Sequence, residues 1–362
     1  MKIFAFYLPQ FHAIPENDNW WGEGFTEWVN VKKAQSLFKG HYQPKIPLDE
    51  NYYDLSQVET LEWQAKLMHE YKIDGLCFYH YWFAGKQLLE KPAEILLENK
   101  DINMPFFFSW ANEPWTRTWD GGHKNVLMDQ KYGGKKEWIE HFNYLRPFFE
   151  DDRYEKYNGK PIFLIYRSES FENCQEWMDC WKEEALKANL KGIHFVSMQT
   201  SFPNDEREIK FDAVVNFEPM NTIFHFVKKS NFEKTIKLVI KGLKRFSNNM
   251  FNTTYVEKIE DYNEVWNSIL EKHIDETIYA GAFVSWDNSA RKGTKSLVIT
   301  GSNPEKFSSN FKKLYKKAKE NKVPYIFINA WNEWAEGTYL EPDHLNKFEY
   351  LQSIKEIHGK NQ

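Results

Sequence analysis

The sequence predicts a (β/α)₈ TIM barrel with long βα loops on the face formed by the carboxyl ends of its strands. Short apolar runs typical of buried parallel strands alternate with amphipathic helical segments, and there are eight such runs in 362 residues. No Pro-, Gly- or Ser-rich linker, internal repeat or low-complexity tract divides the chain. We therefore expect residues 1–362 to form a single domain.

The strand candidates are residues 3–7, 75–80, 106–110, 162–166, 193–198, 213–217, 280–286 and 325–329. The helix candidates are residues 57–71, 87–99, 136–149, 175–189, 231–246, 262–272, 307–320 and 345–357. A doubly wound open sheet is the alternative fold. We favour the barrel because Tyr7-Leu8-Pro9-Gln10-Phe11-His12 follows the first strand, where a nucleotide-binding sheet usually has a glycine-rich turn.

Composition excludes several classes of partner. Lys and Arg total 47 and Asp and Glu total 52, a net charge of -5, which argues against non-specific binding of nucleic acid or an anionic membrane. We find no signal peptide pattern and no apolar run long enough to cross a membrane. Three cysteines cannot all pair, so we expect a reducing compartment and a cytoplasmic protein.

In a barrel of this kind, the residues just past the carboxyl end of each strand line one common mouth. Aromatic, amide, carboxylate and guanidinium side chains collect there and in the long loops 9–55, 111–135 and 287–304. Such groups suit a polyhydroxylated ring, since aromatic faces stack on sugar C–H groups and planar polar groups bind hydroxyls. The candidate substrate-binding residues are Trp21, Tyr79, His80, Tyr81, Trp110, Asn112, Glu113, Trp119, Asp120, Arg167, Glu218, Trp286, Asp287, Asn332 and Trp334.

The candidate catalytic residues, Glu333 and Glu336, lie in the stretch Trp331-Asn332-Glu333-Trp334-Ala335-Glu336-Gly337, directly after the eighth strand. Glycosidic bond cleavage needs one acid to protonate the leaving oxygen and a second group that acts as nucleophile or base at the sugar. Glu333 could act with Glu336 or, across the mouth, with Glu113, and spacing alone does not choose between these pairs. The sequence has no phosphate-binding glycine loop, no paired metal-binding histidines and no serine elbow, so we expect neither cofactor nor metal.

Several long motifs resemble the WbsX family of bacterial polysaccharide-biosynthesis proteins, which has a domain similar to glycoside hydrolase family 99. They are 7–12, 20–28, 78–82, Trp110-Ala111-Asn112-Glu113, Trp119-Asp120-Gly121, Trp286-Asp287-Asn288 and 331–337. The resemblance runs from about residue 3 to about residue 343 and implies a (β/α)₈ barrel with a carbohydrate-active role.

The hydrolase relatives are retaining endo-α-mannosidases and endo-α-mannanases. By that resemblance, Glu333 would deprotonate the sugar's 2-hydroxyl, which attacks C1 to give a 1,2-anhydro intermediate. Glu336 would protonate the leaving oxygen and later activate water. Ala335 stands where these hydrolases carry His, and Pro114 and Thr118 depart from Asn and Arg, so the sugar specificity is left open.

Three functions therefore remain for the predicted site. The first is a retaining glycoside hydrolase of endo-α-mannosidase type acting on bacterial oligosaccharide or polysaccharide. The second is a glycosyltransferase or transglycosylase in O-antigen, lipopolysaccharide or capsule biosynthesis. The third is a carbohydrate-binding module without catalysis. We expect no nucleic-acid partner and no integral membrane segment.

Overall fold

Eight parallel strands close into a barrel in the computed structural model, which describes residues 1–116, 126–203, 205–227 and 231–361. Each strand pairs with the next along the chain, and the last pairs with the first, Lys2 lying opposite Tyr325. The predicted barrel is confirmed. Its strands are β1 (Lys2–Tyr7), β2 (Gly75–Phe83), β3 (Phe106–Trp110), β4 (Lys160–Ile165), β5 (His194–Gln199), β6 (Ala213–Asn216), β7 (Ile278–Phe283) and β8 (Tyr325–Asn329).

Helices flank the barrel and fill its longer connections. They are α1 (Pro15–Trp21), α2 (Glu27–Lys33), α3 (Val58–Glu70), α4 (Lys91–Glu98), α5 (Lys135–Glu150), α6 (Cys174–Lys187), α7 (Met220–His225), α8 (Asn231–Phe251), α9 (Tyr262–Glu271), α10 (Ser289–Lys292), α11 (Pro304–Glu320) and α12 (Glu349–His358). None of these helices is long and apolar enough to cross a bilayer, within the described part of the chain.

Aromatic rings fill the barrel interior in layers. Near the amino ends of the strands, the Phe107 ring lies 4.8 Å from that of Phe4, measured between centroids. One layer higher, Phe6 stacks on Tyr79 at 5.9 Å and meets the edge of Phe217 at 5.3 Å. Dense aromatic packing of this kind makes a rigid floor, and Tyr79 and Phe217 carry it up to the carboxyl end of the barrel.

Candidate active site

A short hairpin after β8 positions the two predicted catalytic acids. Asn332–Glu333 pairs antiparallel with Thr338–Tyr339, and a single 3₁₀ turn, Trp334–Glu336, connects them. Gly337 closes the turn at φ 61°, a conformation that favours glycine. A Cβ at this position would lie 2.9 Å from the carbonyl oxygen of Asp287, so glycine also allows the hairpin to sit against the loop after β7.

One guanidinium group binds three carboxylates beneath this hairpin. Arg291 donates from Nη1 to Glu336 at 2.7 Å, from Nη2 to Glu333 at 3.2 Å and from Nε to Glu27 at 3.1 Å. The Arg291 side chain is buried, whereas that of Glu336 is 21% exposed. Planar guanidinium donors fix the carboxylates they bind in both distance and direction. Glu333 and Glu336 are therefore held together, with Glu336 nearer to solvent.

Burial raises the pKa of Glu333 above its usual value, and Arg291 opposes this shift by favouring the charged carboxylate. The neighbouring acids Glu336 and Glu27 raise the pKa further. The pKa of Arg291 is itself raised, because the attraction of the three carboxylates outweighs the cost of its burial. Glu333 is consequently a stronger base than a solvated glutamate, as a group that removes a hydroxyl proton needs to be.

These acids open into a cleft of about 290 Å³ at the carboxyl end of the barrel. Aromatic side chains supply much of its wall, and three lysines stand at one side. The aromatic wall consists of Tyr79, Tyr81, Trp115, Tyr166, Phe202, Phe217, Phe224 and Trp286. The lysines are Lys258, Lys292 and Lys295. Carboxylates and aromatic rings that line one cleft are the arrangement we expected for a site that binds sugar rings.

A third carboxylate, Glu113, also lines the cleft. Its Oε2 lies 3.6 Å from Nη1 of Arg167, whose guanidinium stacks 3.6 Å from the centroid of the Phe202 ring. Burial raises the pKa of Glu113 to about 7, against the lowering effect of Arg167. Since all three acids share one cleft, both predicted pairings remain geometrically open.

Several predicted site residues meet in this cleft, and others border it. Those that line it are Tyr79, Tyr81, Glu113, Trp286, Glu333 and Glu336. Arg167 contacts Glu113 from the side. Trp21 lines an adjoining cavity that shares Trp115 and Arg291 with the cleft. Trp119 and Asp120 lie outside the described residues.

His80 and Trp110 lie away from the cleft, which corrects the expectation that they line the mouth. The two are opposite each other in the β2–β3 pairing. His80 Nε2 lies 2.8 Å from His141 Nε2, and Trp110 packs on the rings of His141 and Trp177 in the helical layer. Successive strand residues face opposite sides of a sheet. Because Tyr79 and Tyr81 point into the barrel, His80 points out of it.

Glu218 and Asp287 are also placed outside the cleft, Glu218 in an ion pair with a lysine and Asp287 in contact with a histidine. Glu218 accepts a 2.6 Å hydrogen bond from the buried ammonium of Lys272. Asp287 lies 2.8 Å from His41 Nε2, and its backbone N–H donates to the carbonyl of Glu336 at 2.7 Å. Asp287 therefore positions the backbone of a predicted catalytic residue without reaching the cleft itself.

Asn112, Asn332 and Trp334 form the framework of the loops. Asn112 bridges to the backbone of Arg167, accepting from its N–H and donating to its carbonyl at 2.8 Å each. Asn332 does the same with Leu8, at 2.7 and 3.0 Å, which ties the hairpin to the loop after β1. Trp334 stacks on Tyr339 with centroids 3.8 Å apart and is buried. The two amides and the Trp334 indole N–H therefore bind other parts of the protein, and none of the three residues lines the cleft, contrary to their prediction as substrate-binding residues.

The predicted site residues did not include Arg291, the three lysines or five aromatic residues of the wall, namely Trp115, Tyr166, Phe202, Phe217 and Phe224. Arg291 lies in the long loop after β7, a position that permits either a substrate ligand or a partner for Glu333, and its contacts show the partner role. Lys292 and Lys295 follow it in the long loop after β7, so their position was a usable signal. Lys258 carries no such signal, because it comes from a short outer strand, Lys258–Asp261, that pairs with Leu297–Thr300.

Comparison with known proteins identifies the family. The model described as Glycosyltransferase WbsX matches residues 3–354. The chain belongs to the WbsX family. This confirms the resemblance inferred from the sequence motifs.

The WxcX protein of Xanthomonas campestris pv. campestris strain B100 is 33% identical to this WbsX-family chain over 359 residues. The match covers 98% of the chain and 49% of the relative, and WxcX of a second strain matches equally. The chain therefore spans about half the length of the curated relatives it matches.

Among solved structures, the family 99 endo-α-mannosidase of Bacteroides thetaiotaomicron has a TM-score of 0.57 at 14% identity, covering 99% of this chain and 96% of that one. A glycoside hydrolase-like protein has a TM-score of 0.58 at 12% identity, covering 98% and 93%. At these identities the likeness shows the shared fold alone.

Proposed function

We propose that this WbsX-family protein is a carbohydrate-active enzyme, a retaining glycoside hydrolase of endo-α-mannosidase type that acts on bacterial glycan. The observation that carries the proposal is the binding of Glu333 and Glu336 by one guanidinium at the floor of an aromatic-walled cleft. Two acids held this close can serve two oxygens on neighbouring carbons of one sugar, the 2-hydroxyl and the glycosidic oxygen.

In the proposed reaction, Glu333 accepts the proton of the 2-hydroxyl while that oxygen attacks C1. The bond from C1 to the leaving oxygen breaks, and Glu336 donates a proton to this oxygen. Water then attacks C1 of the 1,2-anhydro sugar, losing a proton to Glu336 as the 2-oxygen takes one back from Glu333. Two inversions at C1 give net retention. The greater exposure of Glu336 suits it to exchange a proton with a departing group and with water.

The assignment of Glu336 is tested by changing the leaving group. With Glu336→Gln, we expect kcat on an α-linked manno-oligosaccharide to fall by about 10²–10⁴-fold, the usual worth of a general acid. The loss on the corresponding glycosyl fluoride should be far smaller, because fluoride leaves without a proton. Glu333→Gln should impair both substrates. Equal losses for Glu336→Gln on both substrates would contradict the acid assignment.

Glu113→Gln is the matched comparison for the alternative pairing. Glu113 lines the same cleft, and its pKa of about 7 would also suit a general acid. If the leaving-group dependence appears in Glu113→Gln and not in Glu336→Gln, the acid is Glu113. If neither variant changes turnover of any α-linked glycan, and wild type binds glycan without cleaving it, the chain is a binding module.

The lysines favour a second candidate function, a glycosyltransferase or transglycosylase of polysaccharide biosynthesis. Within the described residues, Lys258 and Lys292 form no salt bridge with a carboxylate, and both face the cleft beside Trp286. Ammonium groups in this position can bind the phosphates of an activated sugar donor. Saturable binding of a nucleotide sugar would select this function over the hydrolase if it is lost in the double variant Lys258→Ala/Lys292→Ala and kept in Lys136→Ala, an exposed lysine that does not line the cleft.

A further inference from the structure

Helix α8 is attached to the rest of the protein by its charged face. Lys237 Nζ lies 3.0 Å from Glu260, and Lys241 Nζ lies 3.5 Å from Glu257. Arg245 binds Glu257 through Nε and Nη2, at 2.8 and 2.9 Å. A helix on a protein surface usually buries its apolar side and exposes its charges. Here the charged side faces inward.

The opposite face of α8 is apolar and exposed to solvent. Its side chains are spaced four and three residues apart in alternation, the heptad spacing of helices that pair in coiled coils. They are between 39% and 74% exposed: Phe232, Ile236, Val239, Leu243, Phe246 and Met250. We call these six residues the α8 stripe.

The α8 stripe is larger than the apolar patches of ordinary monomers. At these exposures it presents roughly 700 Å² of apolar surface, whereas the largest patch on a typical monomer is about 300–600 Å². A standard interface buries about 800 Å² on each partner, and Ile240, which borders the stripe, is also exposed. The area is therefore sufficient for a stable association.

We infer that the α8 stripe pairs with the α8 stripe of a second copy of this chain. The residues beside the stripe in the middle of the helix are uncharged, namely Ile240, Gly242, Ser247 and Asn249. An identical helix therefore meets no like charge along most of the seam, and a two-fold interface is self-complementary. An anionic lipid surface is the competing occupant. It is disfavoured because the cations Lys237, Lys241 and Arg245 already bind carboxylates on the inner face.

Complementary charges at the centre of the stripe test this inference. Val239 and Leu243 lie on either side of its midpoint, so they meet their counterparts in both a parallel and an antiparallel pair. We expect wild type to sediment as a dimer at micromolar concentration. Val239→Lys with Leu243→Lys should weaken the dimer by at least about 100-fold, and so should the same pair changed to Glu, since like charges across an interface cost several kcal/mol. Mixing the Lys and Glu variants should restore a dimer containing one chain of each.

The control is Leu186→Lys on α6, where an exposed leucine lies outside the stripe; this variant should sediment as wild type does. All positions changed are exposed, so circular dichroism should show folded proteins throughout. Three results would overturn the inference. One is a wild-type protein that remains monomeric. A second is a pair of charge variants that stay dimeric. The third is a monomer that floats with vesicles containing phosphatidylglycerol, which would assign the stripe to a membrane surface.

Discussion

Replacing Arg291 with Met tests the electrostatic arrangement of the site most directly. Methionine fills a similar apolar volume but supplies no charge or donor. Three carboxylates, Glu27, Glu333 and Glu336, would then lose the cation that binds them. Removing one partner of a buried ion pair costs about 3–5 kcal/mol, because the remaining charge is left buried without compensation. We expect a loss of stability of about this size at pH 8.

The penalty should depend on pH with a definite sign. The pKa of Glu333 in the folded protein is raised to about 8, so folding takes up protons between its ordinary pKa and this value. The free energy of unfolding therefore falls as the pH rises from the ordinary pKa through about 8. Arg291 lowers that pKa, and without it the pKa of Glu333 rises further. At pH 5 the acid is protonated and the variant loses less. Burial raises the pKa of Glu333 to about 8, so the acid is half ionised at pH 8 and the penalty there should exceed that at pH 5 by only about 0.4 kcal/mol. At pH 9 the excess should reach about 1 kcal/mol.

Urea unfolding of wild type and Arg291→Met at pH 5, 8 and 9 measures both quantities. Arg167→Met is the matched control, since it removes a guanidinium that lies beside Glu113. The side chains of Arg167 and Glu113 are each about one-fifth exposed. Arg167 makes one longer contact with an acid of the cleft, where Arg291 binds three, so we expect a clearly smaller loss than for Arg291→Met. If Arg291→Met is as stable as wild type at pH 8, or if its loss of stability does not increase from pH 5 to pH 9, the account of the three carboxylates is wrong.

Four further substitutions follow from the placement of side chains. Trp286→Ala should weaken glycan binding in calorimetry, because its indole lines the cleft and its N–H has no partner among the described residues. Trp110 is buried outside the cleft, so Trp110→Ala should lower the free energy of unfolding by about 3–5 kcal/mol and leave glycan affinity unchanged. Lys272→Met should cost about 3–5 kcal/mol in urea unfolding by leaving Glu218 buried and unpaired, a result that a stable variant would contradict. Gly337→Ala should reduce turnover and lower the Tm, because φ 61° and a 2.9 Å approach to the neighbouring loop leave no room for a methyl group; unchanged turnover would show that the hairpin can shift.

The barrel strands could be predicted from the sequence because each is a short apolar run bounded by polar loops. The strand whose two ends depart most from prediction is β7, predicted as 280–286 and observed as Ile278–Phe283. The apolar pattern continues through Trp286, but there the carbonyl accepts a hydrogen bond from Ile299 instead of a barrel neighbour. Which strand a segment pairs with is a long-range property, and local periodicity does not contain it.

The candidate site could be predicted in part, and the errors have a common cause. Glu333, Glu336, Glu113 and Trp286 are predicted at the mouth because they lie at or just past the ends of strands, and all four line the cleft. The position of a residue near the end of a strand does not show which side of the sheet its side chain faces. His80 is therefore wrongly predicted to line the mouth together with Tyr79 and Tyr81. Counting alternate residues from the barrel interior would have separated it from them. The convergence of three acids on Arg291 depends on loops far apart in the chain, and no spacing in the sequence encodes it.

Asn332 ties the hairpin to Leu8, and Asp287 holds the carbonyl of Glu336, so both ends of the short turn are attached to the rigid barrel rim. These contacts hold the main chain of both acids, whereas part of the aromatic wall, such as Trp115 and Phe202, comes from loops that make none of them. Variation in those loops could change which sugar is accepted without disturbing the reacting groups. Related chains with different glycan preferences should accordingly differ in the walls of the cleft and superpose closely over residues 331–339.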